Sequence, residues 1–454
     1  MTALMHPDPL WRRTPRVSSR LIRLMSEAGW VAGGQAIATV GSIVAIRVLT
    51  GILPPSGYGE LALSLTAATL AQQLLMGPIG MGAIRYFALA VEGGQLGAYL
   101  KSTVLLVGAS SLAIWVASAL MGLYLRGSGR SEWLQLLWSA SALAWLSSVS
   151  SLVDGIQNAA RQRAIVAVHQ GVGAWLRIAL VVVIVKISGA SSSKVLWGYA
   201  AGYALLLVSQ TAFLFRTLSR IGFGSQPSAS SSLHTAMWSY AWPFSTWGIF
   251  TWLQIASDRW ALRAYSSVYQ VGLYQSLYQL GFSPIALLTQ FIQQVSIPII
   301  FARAGNGDDQ DRQLVAKRLN NMLLGATLVL TACGTLFSYA GGHRILALVV
   351  APAYRTHFSL VTGLILAGGL FAAGQIACLN LMTALSTKRL IAPKIGTAAI
   401  GIGLNYAGAM FWGTTGVVAA QIAFSSIYLS WILYLTARRP GAGWMFRTRI
   451  VSVT

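Results

Sequence analysis

An arginine in the middle of a long apolar run constrains the chemistry of this chain most. Arg177 lies in AIVAVHQGVGAWLRIALVVVIVKI, nine residues before Lys186. A charge at the centre of a bilayer costs at least ~2.5 kcal/mol on insertion scales. From that depth its side chain cannot easily snorkel to either surface. It therefore needs an anionic ligand, or the carbonyls and hydroxyls of neighbouring helices. His169 and Gly173 fall within about 80° of it on a helical wheel. His169 reads either as a packed polar residue or as part of the same path.

The second constellation is WSYAWPFSTWGIFTWLQIASDRWALRAY, starting at Trp238. Trp238 to Ser257 carries no charge and is long enough to span a bilayer. At 100° per residue, Trp238, Trp242, Trp252 and Trp260 share one stripe. Tyr240, Trp247, Thr251, Gln254 and Asp258 share the opposite one. A polar stripe of that length needs a partner helix or a water-filled cavity, and the rest of the chain is read here as the walls of a cavity. Asp258 is expected not to face Arg259, because neighbours on a helix point 100° apart. Its expected partner is a cation or a residue of another helix, Arg47 and Arg177 being candidates. Arg47 and Arg259 sit near the outer ends of their helices, facing the cavity or snorkelling to the interface. Arg85, in GMGAIRYF, reads as a positive-inside anchor or a contact on entry.

The composition shows what must hold these residues. Of 454 residues, 55% are hydrophobic and 9% charged, against about 25% charged in soluble domains. Mean hydropathy is +0.64. The class is an all-α polytopic membrane protein. Twelve spans are expected, near 28–52, 59–77, 98–122, 133–153, 164–187 and 195–215, then 238–258, 268–293, 319–340, 358–381, 394–412 and 416–436. The net charge of +22 could suggest nucleic acid. That partner is excluded, because the basic residues sit in short loops between apolar runs. With both termini cytoplasmic, inner segments hold 22 Lys and Arg and outer loops 8, as the positive-inside rule requires.

The longest polar connector, 219–235, is Ser/Gly-rich and reads as a cytoplasmic linker. It separates an N-terminal lobe, 1–218, from a C-terminal lobe, 236–454. Six spans per lobe put both in the same orientation. That favours a pseudo-two-fold axis along the membrane normal, with a central cavity between the lobes. A weak internal echo accompanies this: Gly59 follows Arg47 by 12 residues, and Gly272 follows Arg259 by 13. Cys333 and Cys378 lie within apolar runs and indicate no disulfide framework. There is no P-loop, nucleophile elbow or metal-ligand spacing, so neither a cofactor nor a metal is expected. GDDQD at 307–311 reads as a solvated loop.

Three stretches carry a family resemblance. RVLTGILPPSGYGELALSLTAATLAQQLLMGPIGMGAIRYFA (47–88), SDRWALRAYSSVYQVGLYQSLYQLGFSP (257–284) and NYAGAMFWGTTGVVAAQIAFSSIYL (405–429) resemble passages of the bacterial lipid-linked oligosaccharide flippases. Those proteins handle O-antigen and exopolysaccharide units and belong to the multidrug/oligosaccharidyl-lipid/polysaccharide exporter superfamily. One departure is PPSGYG, with Pro55 and Gly57 where polar residues are common.

The resemblance implies a transporter, not an enzyme, in the bacterial inner membrane. It would move undecaprenyl-diphosphate-linked oligosaccharide to the periplasmic leaflet by alternating access. It also implies a polysaccharide polymerase machinery as a candidate partner and H⁺ or Na⁺ as a candidate coupling ion. On this reading Arg177, with at least one of Arg47 and Arg259, makes the cavity cationic for the diphosphate. Trp247, beside Gln254 and Asp258, is placed to stack on a sugar ring. A cation-coupled multidrug antiporter of the same superfamily is the alternative, with Asp258 as the carboxylate placed for it. A membrane glycosyltransferase or polymerase would want a large acidic outer loop, and none exceeds about 20 residues.

Overall fold

The computed structural model describes residues 17–222, 230–304, 310–383 and 390–437. All regular structure there is helical. Of the expected linker 219–235, only 223–229 lie outside the described residues: 219–221 still belong to the helix ending at Ile221, and 230–235 already belong to the helix starting at Ser230. Most of the GDDQD loop also lies outside the described residues.

Helix α1 runs Val17–Ile52 and α2 Pro55–Ala71. Pro54 and Pro55 stop the first and start the second, since proline suits the first helical turn. A π turn at Gln72–Met76 joins α2 to α3, Gly77–Glu92. Then follow α4 (Leu96–Gly127), α5 (Leu134–Ala159), α6 (Arg163–Ser188) and α7 (Ser192–Ile221). The second set is α8 (Ser230–Tyr265), α9 (Val268–Gly281), α10 (Ser283–Ala304) and α11 (Gln310–Phe337). It ends with the short α12 (His343–Ala347), α13 (Val361–Thr383) and α14 (Ile391–Ala437).

Nine helical stretches among the described residues are long and apolar enough to cross a membrane. Helix α8 and the α9–α10 pair cover the expected segments 238–258 and 268–293 but are not among the nine. Helix α14 has 47 residues, about twice what a bilayer core needs. It is a hairpin. Gly413 turns the chain at φ 58, ψ −134, a conformation open to glycine. The two arms then run antiparallel, with Gly396 against Trp431, Gly401 against Phe424 and Gly408 against Gly416.

At one end of the molecule the helices close tightly. Helix α2 crosses α9 at Gly59 and Gly272, the two glycines of the internal echo. A Cβ on Gly59 would strike the Val268 carbonyl, and one on Gly272 the Pro55 carbonyl. Only glycine lets the backbones approach that closely. Over this crossing the Tyr354 hydroxyl donates to the Leu53 carbonyl at 2.7 Å. The Tyr58 and Tyr354 rings meet edge to face, 5.6 Å between centroids. The Ser192 hydroxyl lies 2.9 Å from the Gly57 carbonyl and 2.7 Å from Glu60 Oε2, tying α7 to the same end.

Candidate substrate cavity

Below the glycine crossing lies a cavity of about 610 Å³. Its walls come from α1, α2, α5, α6, α7, α9 and α10, with Gln72 of the π turn. One base and one acid line it among the described residues, Arg177 and Asp154. The other polar lining is neutral: Gln35, Gln72, Gln170, Gln275, Gln279 and Gln290, with Ser42, Ser147, Ser150, Ser151 and Thr69, and the rings of Tyr58, Tyr199 and Tyr203.

The neighbouring helix holds Arg177 in place. Helix α7 presents Gly202, where a Cβ would stand 2.6 Å from Arg177 Cγ. The stem of the arginine therefore fills the space a larger residue at 202 would need. The guanidinium carbon sits 4.6 Å from the centre of the Tyr203 ring, a cation–π arrangement. The side chain leans toward the start of α6, as side chains in helices do, bringing Nη1 close to Gly173. Among the described residues no carboxylate lies within ion-pair distance of it.

Asp154 is half-buried on α5. Its Oδ1 accepts from Gln210 Nε2 at 2.7 Å and its Oδ2 from Gln170 Nε2 at 3.4 Å. The apolar run places the end of this span near 153. Helix α5 continues to Ala159, which brings Asp154 onto the wall. The signal was present as spacing: Ser147, Ser150, Ser151 and Asp154 repeat at i, i+3, i+4 and i+7, one helical face. Gln170 and Arg177 share a face by the same rule.

Other expected residues sit elsewhere. Arg47 and Arg85 are exposed and do not line the cavity. His169 is buried against α7, its Nε2 3.0 Å from Ser209 Oγ and its ring edge-on to Phe213. Trp247 is exposed on one side and holds Lys394 Nζ 5.5 Å from its ring centre.

Gln254 is buried and donates to the Lys394 carbonyl at 3.2 Å and to Thr397 Oγ1 at 2.9 Å, both on α14. The polar stripe of α8 thus stays off the cavity wall, with Gln254 on α14 and Tyr240 against Tyr86 of α3. Of the tryptophan stripe, two members meet α2, through Trp252 Nε1 to the Thr66 carbonyl (2.7 Å) and Trp260 Nε1 to Thr66 Oγ1 (3.1 Å), while Trp238 and Trp242 are exposed.

Asp258 and Arg259 correct a second expectation, because they pair with each other. Arg259 Nη1 lies 3.0 Å from Asp258 Oδ1. Their Cα–Cβ bonds diverge, but the long arginine folds back along α8 to the Ile255 carbonyl and reaches the carboxylate on the way. Residues of other helices complete the site. The Tyr274 hydroxyl donates to Asp258 Oδ2 at 2.6 Å, Gln421 Nε2 at 3.3 Å, and Arg259 Nε donates to Gln275 Oε1 at 2.6 Å. Gln275 lines the cavity, so Arg259 stands one side chain behind the wall. The cavity thus has one arginine facing one aspartate, in place of the two or more arginines expected. No cluster of three or more metal-ligating side chains occurs among the described residues.

Residues 24–304 match the profile of a family described as "Polysaccharide biosynthesis protein". No curated protein matches the chain significantly. Among solved structures, the lipid II flippase MurJ in an inward closed conformation is similar at 12% identity, with a TM-score of 0.67 over 92% of this chain and 88% of that one. An inward-facing multidrug resistance MATE family transporter of the MOP superfamily gives 12% identity and a TM-score of 0.65, over 88% and 94%. A Vibrio cholerae MATE transporter gives 12% and 0.60, over 92% and 96%. At such identities these likenesses show a shared fold.

Proposed function

Because the chain belongs to the polysaccharide biosynthesis protein family and has the fold of MOP-superfamily transporters, we propose that it is a flippase for undecaprenyl-diphosphate-linked oligosaccharide. The cargo is an O-antigen or exopolysaccharide repeat unit, moved from the cytoplasmic to the periplasmic leaflet of the inner membrane. Arg177 carries the reading: a cavity-lining guanidinium with no carboxylate within ion-pair distance among the described residues suits a diphosphate, to which arginine offers a bidentate fork. Six glutamines and a row of serines suit sugar hydroxyls.

Alternating access follows from two lobes, residues 1–218 and 236–454, rocking about the cavity. The Gly59–Gly272 crossing supports parallel repeats, since echo positions from each half meet there. In the proposed topology that tight end is periplasmic, and the cavity opens toward the cytoplasm. The drug-antiporter alternative rested on Asp258, which Arg259 already neutralises.

The test is surface polysaccharide restored in a strain lacking its own flippase, with protein level in the membrane as control. Arg177→Ala is expected to abolish export and Arg177→Lys to keep part of it, because a point charge still attracts phosphate. Arg177→Gln separates an electrostatic role from hydrogen bonding. Full export by the Gln variant at normal abundance removes Arg177 from the mechanism.

A further inference from the structure

We propose that Asp154 and Gln170 form a glycan subsite that accepts hydroxyl groups from the sugars next to the diphosphate and so selects which lipid-linked glycans are carried. This rests on the flippase reading above. Asp154 is the one acid on the described cavity wall, and it would repel a diphosphate. Its place there calls for a ligand group that donates hydrogen bonds.

The site is built to hold the carboxylate still. Gln210 is fully buried, and its Oε1 accepts from the Ser150 hydroxyl at 2.9 Å. That contact leaves the Gln210 amide nitrogen pointing at Asp154, where it donates at 2.7 Å. Gln157 Nε2 donates to the Gln210 backbone carbonyl at 3.0 Å and locks α5 to α7 behind the site. Each Asp154 oxygen thus has one amide donor and keeps lone pairs free. Among the described residues no cation pairs with it.

The spacing fits one ligand reaching both charges. Gln170 touches Asp154 and lies seven residues before Arg177 on the same face of α6, about 10 Å of helix rise. A diphosphate at Arg177 would place its first sugars beside Asp154. A carboxylate facing vicinal hydroxyls accepts from both, and a site of this kind discriminates strongly against a ligand that lacks them.

The experiment uses the full chain purified in detergent. Binding is measured for bare undecaprenyl diphosphate and for the same lipid carrying one N-acetylglucosamine, glucose or galactose. The readout is the ratio of glycosylated to bare affinity. For at least one sugar, the wild type is expected to show a ratio of about ten or more. Asp154→Ala should bring it within about twofold of one, and Gln170→Ala should lower it by about threefold. Asp154→Asn and Gln170→Ala carry the test if Asp154→Ala does not elute as a single species. A ratio near one in the wild type, or a high ratio surviving in the Asp154 and Gln170 variants, overturns the subsite. An Asp154 variant that keeps the ratio but loses the response of transport to a pH gradient overturns it in favour of a proton site. Arg177→Ala should weaken all four lipids together. If the wild type binds none of them, bare lipid included, the flippase reading itself fails.

Discussion

The Asp258–Arg259 pair is fully enclosed, with the carboxylate at 0% and the guanidinium at 6% side-chain exposure. A pair this deep carries a desolvation cost comparable to its attraction, so its presence is weak evidence for stability. Breaking it is another matter, because it leaves one charge buried alone. Asp258→Ala is expected to destabilise the protein by ~3–5 kcal/mol. Replacing both together, Asp258→Leu with Arg259→Met, should recover much of that. Thermal unfolding of the purified variants checks this, and a double variant no more stable than Asp258→Ala would show that the pair does more than neutralise itself. Arg177 differs: it lines the cavity with Tyr203 beside it, and its losses should appear in export.

Two helix crossings depend on glycine, for different ends. Gly202 makes room for the stem of Arg177. Gly59 and Gly272 let α2 and α9 touch at the closed end. Gly59→Leu cannot keep that crossing, since even a Cβ would strike the Val268 carbonyl. A cysteine replacing Val271, which is fully buried there, should be unreactive to a bulky maleimide in the parent protein. It should become reactive once Gly59→Leu is added. If it stays protected, the crossing is not what closes this end. A looser crossing should also lower export, because alternating access needs both ends to close in turn.

For the whole molecule the question is which end faces outward. The proposed topology puts Ser128, in the exposed turn after α4, on the periplasmic side, and Asn158, exposed at the end of α5, on the cytoplasmic side. With Cys333 and Cys378 replaced by serine, a cysteine at 128 should label with an impermeant reagent added to intact cells. One at 158 should label only after lysis. Equal labelling of both would reject the topology, and with it the direction assigned to the cavity.

The all-helical class was legible in the sequence because helix formation is local. Apolar length marks nine stretches among the described residues but not α8 or the α9–α10 pair, and hydrogen bonds within each helix satisfy its own backbone in lipid. Periodicity also told correctly that Gln254 and Asp258 share a stripe with Trp252 opposite. It said nothing of what each stripe meets. That was decided when α8 packed with Trp252 and Trp260 on Thr66 of α2 and its amide on α14. Arg177 could be singled out from depth alone. Asp154 could not, because α5 runs past its apolar stretch, and Arg259 was misjudged because a flexible side chain can fold back where a wheel shows divergence. A sequence specifies which residues share a face; which neighbour that face meets depends on how the helices pack, and only the tertiary structure holds that.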